Sequence, residues 1–144
     1  MTVIAAKLYR DGIAVRAASL DTATAHECAA NEFYWIGLYD PSPEELDAIR
    51  RKFNLHPLAI EDAAKAHQLP KLDVYGDQLF VLARTISLKG HAVQYGETAI
   101  FTGPHHIVTV RHGSARAHTE LRVQLESSPA LLRHGVDYVL HAVL

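Results

Sequence analysis

The sequence predicts an α/β (α+β) fold in which a mixed, largely antiparallel central sheet carries helices on both faces. Three observations lead to this prediction. Two pairs of strand-like segments flank turn signals, at Asp11-Gly12 near the start and at Gly103-Pro104 further on. Helix start signals occur between and after these pairs. Residues 33–39 are apolar at both odd and even positions, as expected for a central strand that is covered on both sides.

The first third of the chain is predicted to begin with strands over residues 2–9 and 13–18, which Asp11-Gly12 joins. A weak helix is predicted over 22–30, with Asp21 available as its N-cap, and the strand over 33–39 follows it.

Ser42-Pro43-Glu44-Glu45 is a capping box with proline at the first helical position, and it predicts a helix start. Leu46, Ile49 and Phe53 form the buried stripe of that helix. A second short helix is predicted to begin near Pro57 and to run toward residue 66, because Pro70 prevents it from continuing.

The second half is predicted to contain a strand over 79–88 with apolar residues on both faces, and an antiparallel pair over 93–102 and 106–111. A helix is expected over 114–126, with Ala117, Leu121 and Leu125 in one row. Ser128-Pro129 begins another short helix, which ends at His134-Gly135. Residues 137–144 are apolar and carry no stop signal, which predicts a helix that continues beyond Leu144.

The bulk composition indicates one soluble domain spanning 1–144, because a chain of 144 residues can bury a sufficient core. The apolar fraction is 49%, the charged fraction 21% and the net charge −2, which argue against disorder and against a nucleic-acid partner. Cys28 is the only cysteine, so a reduced, cytoplasmic setting is expected, with packing as its role. No apolar stretch reaches the ~18–20 residues that a membrane-spanning helix needs.

Neither an enzyme nor a zinc site is predicted. The ten histidines include no His-x-x-x-His pair and no Cys/His ligand cluster. Gly-x-Ser-x-Gly, a Gly-rich phosphate loop and His-Glu-x-x-His are all absent. Trp35 is interpreted as a core residue, and Asp137 as an N-cap or first-turn residue of the last helix.

The sequence allows two interpretations of the adjacent carboxylates Glu61 and Asp62. They can be part of a solvated helix face, or they can present hard oxygen ligands to Mg²⁺, directly or through water. Because adjacent carboxylates on a helix diverge, a site built on them needs ligands from elsewhere, such as a neighbouring subunit. In the isolated chain, they are expected to form a largely exposed acidic pair that binds Mg²⁺ weakly.

The most specific run of residues extends from His56 to Tyr75 and reads His-Pro-Leu-Ala-Ile-Glu-Asp, then His67-Gln68-Leu69-Pro70-Lys71. It resembles the cytoplasmic domain of the CorA family of magnesium and cobalt channels, which carry a similar His-Pro-Leu, Glu-Asp and His-Gln-x-Pro-Lys order. Further similarity lies in four shorter segments, and together these pieces span residues 33–144: 35–38, 41–53, 108–111 and 137–140.

The resemblance implies a Mg²⁺-sensing and gating domain of a Mg²⁺/Co²⁺ channel, cut at the start of its stalk helix. Family members are homopentamers whose cytoplasmic domains form a funnel with regulatory Mg²⁺ between subunits. Asp62 falls on the interface carboxylate and Glu61 on an assisting position, with the opposing carboxylates beyond Leu144. Membrane attachment is implied only through helices that follow the stalk.

A structural role is assigned to the remaining motif residues: His56, Pro57, His67, Gln68, Pro70 and Lys71. Pro70 sets the break after the second helix, His67 and Gln68 bond loose backbone groups, and Lys71 opens the next strand. Leu69 departs from the arginine that is common in the motif. The shortened N-terminal region implies a small sheet. Two alternatives stay open: a stand-alone ligand-binding module of the same fold, and the cytoplasmic domain of a zinc-transporting relative.

Overall fold

The structure, a computed structural model, describes residues 2–18, 29–65, 69–113 and 118–144. Its centre is a seven-stranded sheet with the strand order β2-β1-β3-β7-β6-β5-β4. The strands are β1 (Thr2–Arg10), β2 (Ile13–Ala17), β3 (Glu32–Tyr39), β4 (Lys71–Tyr75), β5 (Gln78–Lys89), β6 (Ala92–Gly103) and β7 (His106–Gly113). The helices are α1 (Pro43–Phe53), α2 (Pro57–Ala64), α3 (Thr119–Glu126), α4 (Pro129–Leu132) and α5 (Val136–Val143).

The N-terminal hairpin belongs to the main sheet, because β1 pairs with β2 on one side and with β3 on the other, both antiparallel. Asp11 and Gly12 turn the chain with φ values of 53° and 80°. Gly12 also lies directly against α4, where a Cβ atom would come within 2.2 Å of the Pro129 carbonyl oxygen. The expectation of a small sheet is therefore wrong, since the first 17 residues add two full strands.

The sheet is mixed and largely antiparallel, as predicted. Its parallel pair among the described strands is β3–β7, in the middle of the sheet, where Ile36 lies opposite Val108. Trp35 and Ile36 are both fully buried although they point to opposite faces. This confirms that residues 33–39 form a central strand with both faces covered, and that Trp35 is a core residue.

Helices cover both faces, as the sequence predicts. On one face, α1 and α2 pack Leu46, Ile49 and Ala59 against strand residues such as Ile36. On the other face, Leu125, Leu132 and Val139 from α3, α4 and α5 pack against Trp35. One hydrophobic core thus lies on each side of a single sheet.

The strand predicted over residues 79–88, with apolar residues on both faces, is confirmed as β5, but its far end is not covered. Ile86 and Leu88 are exposed there. The cause is the unequal length of the strands, since β4 pairs with β5 only as far as Leu82 and β7 pairs with β6 only as far as Gly96. Beyond those points the β5–β6 hairpin has no further paired strand among the residues that the structure describes.

Several predicted features lie wholly or partly outside the described residues, namely the helix over 22–30 with Cys28, the start of the helix over 114–126 with Ala117, and the roles given to His67 and Gln68. Asp137 lies in the first turn of α5, while Gly135 occupies the N-cap position. Within the described part of the chain, no helix is long and apolar enough to cross a membrane.

Candidate functional site

The residues from His56 to Tyr75 form α2, β4 and the connection between them, and side chains of the two elements meet. His56 is the N-cap of α2, and its Nδ1 accepts a hydrogen bond from the Leu58 backbone N–H at 3.1 Å. Pro57 occupies the first helical position, where a missing N–H costs nothing. The His56 ring also stacks on Tyr75, with ring centroids 4.1 Å apart and planes at 17°. His56 and Pro57 thus begin α2, and His56 also attaches it to β4.

Lys71 joins the two elements through its side chain. Alternate residues of a strand point to the same face, so β4 directs Lys71, Asp73 and Tyr75 toward α2. The Lys71 ammonium donates a hydrogen bond to Asp62 Oδ2 and lies 3.3 Å from Asp73 Oδ2. The hydrogen bond to Asp62, together with Asp73, raises the pKa of Lys71. Lys71 thus does more than open the strand, because it links α2 to β4.

The pKa of Tyr75 in this cluster is raised as well. Desolvation of the phenol is the main cause, and the nearby charge of Asp73 adds to it. The phenol therefore stays neutral and adds no negative charge to the two carboxylates. Lys71 supplies the positive charge beside them. The cluster of Asp62, Lys71, Asp73, Tyr75 and the stacked His56 is called the α2–β4 cluster below.

Glu61 and Asp62 diverge, as their adjacency on a helix predicts. Glu61 Oε1 accepts a hydrogen bond from Lys65 at 3.0 Å, one turn further along α2, and its side chain is 58% exposed. The Asp62 side chain is only 19% exposed, because it faces Lys71 on β4. The expectation of a largely exposed acidic pair is therefore wrong for Asp62, whereas Glu61 lies on a solvated helix face.

The α2–β4 cluster places two carboxylates around one positive group. One positive group, the Lys71 ammonium, already lies against oxygens of both Asp62 and Asp73, and carboxylate oxygens are the ligands that Mg²⁺ prefers. The described residues contain no group of three or more His, Cys, Asp or Glu side chains that could hold a metal ion. Two carboxylates that already share the Lys71 ammonium can supply at most part of the coordination shell of a Mg²⁺ ion.

Asp73 and Tyr75 are the two residues of this cluster to which the sequence assigned no role. The signal in the sequence was the spacing of two residues from Lys71 to Asp73 and from Asp73 to Tyr75, which places all three on one face of a strand. Leu69 and Pro70 precede the strand and are exposed, and the Leu69 side chain can form no ion pair. Nothing in the cluster depends on an arginine at position 69.

α2 is also tied down at its C-terminal end. The Nε2 atom of His112 on β7 lies 2.7 Å from the carbonyl oxygen of Ala63, which is a hydrogen-bond distance. Ala63 itself is buried in the core beneath the helix. Contacts at both ends therefore fix α2 on the sheet, and with it the position of Asp62.

Comparisons with known proteins agree with this architecture. The family model described as "CorA-like Mg2+ transporter protein" matches residues 30–142. The Bacillus subtilis protein YfjQ, which is named for metal ion transport, is 30% identical over 112 residues. That alignment covers 78% of this chain but 34% of YfjQ, so the chain spans about a third of that relative's length.

Three solved structures share the fold at low sequence identity. The full-length CmaX protein has a TM-score of 0.73 at 17% identity, covering 98% of this chain and 43% of that one. The soluble domain of CorA from Methanocaldococcus jannaschii has a TM-score of 0.67 at 15% identity, covering 99% and 56%. The ZntB cytoplasmic domain from Vibrio parahaemolyticus has a TM-score of 0.68 at 11% identity, covering 98% and 55%.

The likeness to the solved structures includes the N-terminal hairpin, which precedes the region that the family model matches. The seven-stranded sheet with two helical layers is therefore an arrangement that these proteins share. With the family model covering more than three quarters of the sequence, the chain belongs to the family of CorA-like Mg²⁺ transporter proteins.

Proposed function

We propose that this chain is the cytoplasmic Mg²⁺-sensing and gating domain of a CorA-like divalent cation channel. The observation that carries the proposal is the position of Asp62. In a chain of this transporter family, α2 and Lys71 hold that carboxylate partly buried in one orientation at the α2–β4 cluster. The family is one of transporters, and no catalytic role is proposed.

Asp62 supplies only part of a Mg²⁺ site, so the remaining ligands must come from a neighbouring subunit. Mg²⁺ keeps several waters and is bound through one or two carboxylates, and a bound ion would contribute two positive charges between facing acidic groups. When the ion is lost, Asp62 and the facing carboxylates of the next subunit repel each other and loosen the interface. This gives negative feedback in a homopentamer, since plentiful Mg²⁺ keeps the subunits together.

The ion that the whole protein carries is a further part of the proposal. The α2–β4 cluster offers hard carboxylate oxygens, which suit Mg²⁺, and Co²⁺ is a second cargo. Zinc is better bound by nitrogen and sulfur ligands. The fold itself does not discriminate, because the ZntB domain is as similar as the CorA domain. A zinc-transporting relative is therefore the second candidate. The stand-alone binding module has no observation in its favour.

The test is limited proteolysis of the intact protein over a range of Mg²⁺ concentrations, with Asp62→Ala and Glu61→Ala as a matched pair. Each substitution removes one carboxylate from α2. Only Asp62 faces the cluster, so Asp62→Ala should shift protection to higher Mg²⁺ concentration, and Glu61→Ala should do less. Unchanged protection by Mg²⁺ in Asp62→Ala would show that the site lies elsewhere.

The same assay with Zn²⁺ distinguishes the two candidates. Protection by Mg²⁺ at millimolar concentration, lost in Asp62→Ala, supports the magnesium sensor. Protection by Zn²⁺ at much lower concentration, with no response to Mg²⁺, would support the zinc-transporting relative instead.

A further inference from the structure

The far end of the β5–β6 hairpin exposes an apolar surface. Four large side chains there are between 50% and 74% exposed: Ile86, Leu88, Val93 and Tyr95. In the antiparallel register, Ile86 lies opposite Tyr95. Leu88 lies opposite Val93. Opposite residues of two paired strands point to the same face, as do residues two positions apart. The four side chains therefore form one contiguous patch, which is called the hairpin patch below.

The hairpin patch has the features of a contact surface. Single exposed apolar residues are normal on a protein surface, whereas contiguous apolar patches mark interaction sites. A two-stranded hairpin is also only marginally stable by itself. Beyond Leu82 on β5 and Gly96 on β6, no further strand pairs with this hairpin among the described residues. A covering partner would therefore bury the patch and support the hairpin.

The hairpin patch lies on the face of the sheet that carries α1 and α2. Ala99 on β6 belongs to the core beneath these helices, and Glu97 and then Tyr95 follow it on the same face. Glu97 lies opposite His112, whose Nε2 atom contacts the Ala63 carbonyl oxygen at the end of α2. The patch therefore begins about 7 Å, or two strand residues, beyond the contact that holds the end of α2.

The formal charges of the hairpin are positive. Residues 78–96 contain Arg84 and Lys89 but no aspartate or glutamate. Both side chains are exposed, and the Arg84 guanidinium lies 5.6 Å from the ring centroid of Tyr95 at the patch. The segment contributes +2 to a chain of net charge −2, so the other residues together carry −4. A second copy of the chain therefore offers this hairpin a surface of opposite net charge.

We propose that the hairpin patch packs against a neighbouring copy of this chain in the assembled protein. The inference rests on the proposed function, in which a neighbouring subunit is needed to complete the site at Asp62. Four side chains are too few for a stable interface of their own, since such an interface buries roughly 800 Å² on each partner. The patch is therefore the apolar centre of one part of a larger contact. Because the basic hairpin meets a different, acidic surface of its neighbour, the contact is head-to-tail, which is the type that closes into a ring.

The test places the photo-crosslinking amino acid p-benzoylphenylalanine at position 88 of the intact protein, in saturating Mg²⁺. Illumination should give covalent dimers on denaturing electrophoresis. Position 92 is the matched control, because Ala92 is exposed on the same hairpin but points to the opposite face from Val93. It should give several-fold less dimer. Equal yields at the two positions would overturn the proposal, as would cross-links from position 88 only within one chain or only to phospholipid.

Leu88→Ser measures the strength of the contact. It should weaken association of the subunits by about tenfold, seen as dissociation on dilution, because an apolar side chain is removed from the centre of the contact. Leu131→Ser is the control, since Leu131 is an exposed leucine on α4, on the other face of the sheet. Both side chains are exposed, so both variants should keep the fold, which circular dichroism checks. Equal association of the two folded variants would contradict the proposal.

The two proposals can fail separately. Asp62→Ala tests the ion site, and the variants at Leu88 test the contact surface. If protection by Mg²⁺ depends on Asp62 but position 88 gives no dimer, the hairpin contact alone is wrong. If position 88 gives dimers while Asp62→Ala leaves the protection by Mg²⁺ unchanged, the contact is supported and the sensing site lies elsewhere.

Discussion

The ring of His56 is stacked on that of Tyr75 at a centroid distance of 4.1 Å, and this contact joins the N-cap residue of α2 to the last residue of β4. His56 also accepts the capping hydrogen bond of α2, so one side chain both starts the helix and attaches it to β4. Lys71 makes the second attachment, through Asp62. These two contacts, from His56 and from Lys71, therefore fix α2 on β4.

His56→Ala should destabilise the chain by about 1–2 kcal/mol, because it removes both the cap acceptor and the aromatic contact. His56→Asn keeps an acceptor at the N-cap and loses only the stack, so its cost should be smaller. Chemical denaturation of the two variants measures the difference. Equal free energies of unfolding for Ala and Asn would contradict the capping role.

Lys71→Met should increase the affinity of the isolated chain for Mg²⁺ by about two- to fivefold, because the ammonium no longer competes for Asp62. The original chain is expected to bind only weakly, in the millimolar range, since the remaining ligands are missing. Calorimetric titration measures the Mg²⁺ affinity of the original chain and that of Lys71→Met. Lys65→Met removes the same charge from the Glu61 pair on α2 and is the control, with little change expected. A similar increase in both variants would point to general charge effects.

His106 should make stability depend on pH. Burial lowers its pKa from 6.5 to about 4, and the ring packs against Phe53 at 4.8 Å. Between pH 6.5 and 4 the unfolded chain therefore binds a proton that the native state does not, so stability falls as pH decreases through this window. The full effect is on the order of 3 kcal/mol. Denaturation curves at pH 7 and pH 4.5 measure the free energy of unfolding at each pH. Its decrease between the two should be smaller in His106→Phe than in the original chain.

Gly12→Ala and Gly76→Ala form a second matched pair. Both glycines have positive φ, at 80° and 64°, so alanine is strained at each by about 1–2 kcal/mol. A Cβ at Gly76 meets nothing within 4 Å, whereas at Gly12 it meets the backbone of α4. Gly12→Ala should therefore cost about 3 kcal/mol or more. Similar costs for the two variants, measured by urea denaturation, would mean that the hairpin does not pack on α4 in solution.

Local signals in the sequence predicted local structure well. The capping box is an example: Ser42 accepts from the Glu45 N–H at 3.2 Å, and Glu45 accepts from the Ser42 N–H at 3.0 Å. The residues concerned are three positions apart, so their types and spacing determine the contact. The hairpin turn at Asp11-Gly12 was predictable for the same reason.

Contacts between distant residues were not predictable. Arg122 and Trp35 lie on different elements, and nothing in either segment indicates that a guanidinium will cover that ring. The Lys71–Asp62 pair is intermediate, because it required knowing that α2 folds back over β4. The exposure of Ile86 and Leu88 likewise follows from where the neighbouring strands end, and the residues of β5 itself do not reveal this.

The parallel pairing of β3 with β7 has a consequence for synthesis of the chain. β3 leaves the ribosome about 70 residues before the strand that completes the centre of the sheet. At roughly 5–20 residues per second, this interval lasts several seconds. Until then β3 can pair only with β1, and its other edge, beside Trp35 and Ile36, stays open to other chains. We expect this interval to be when the nascent protein is most prone to aggregate.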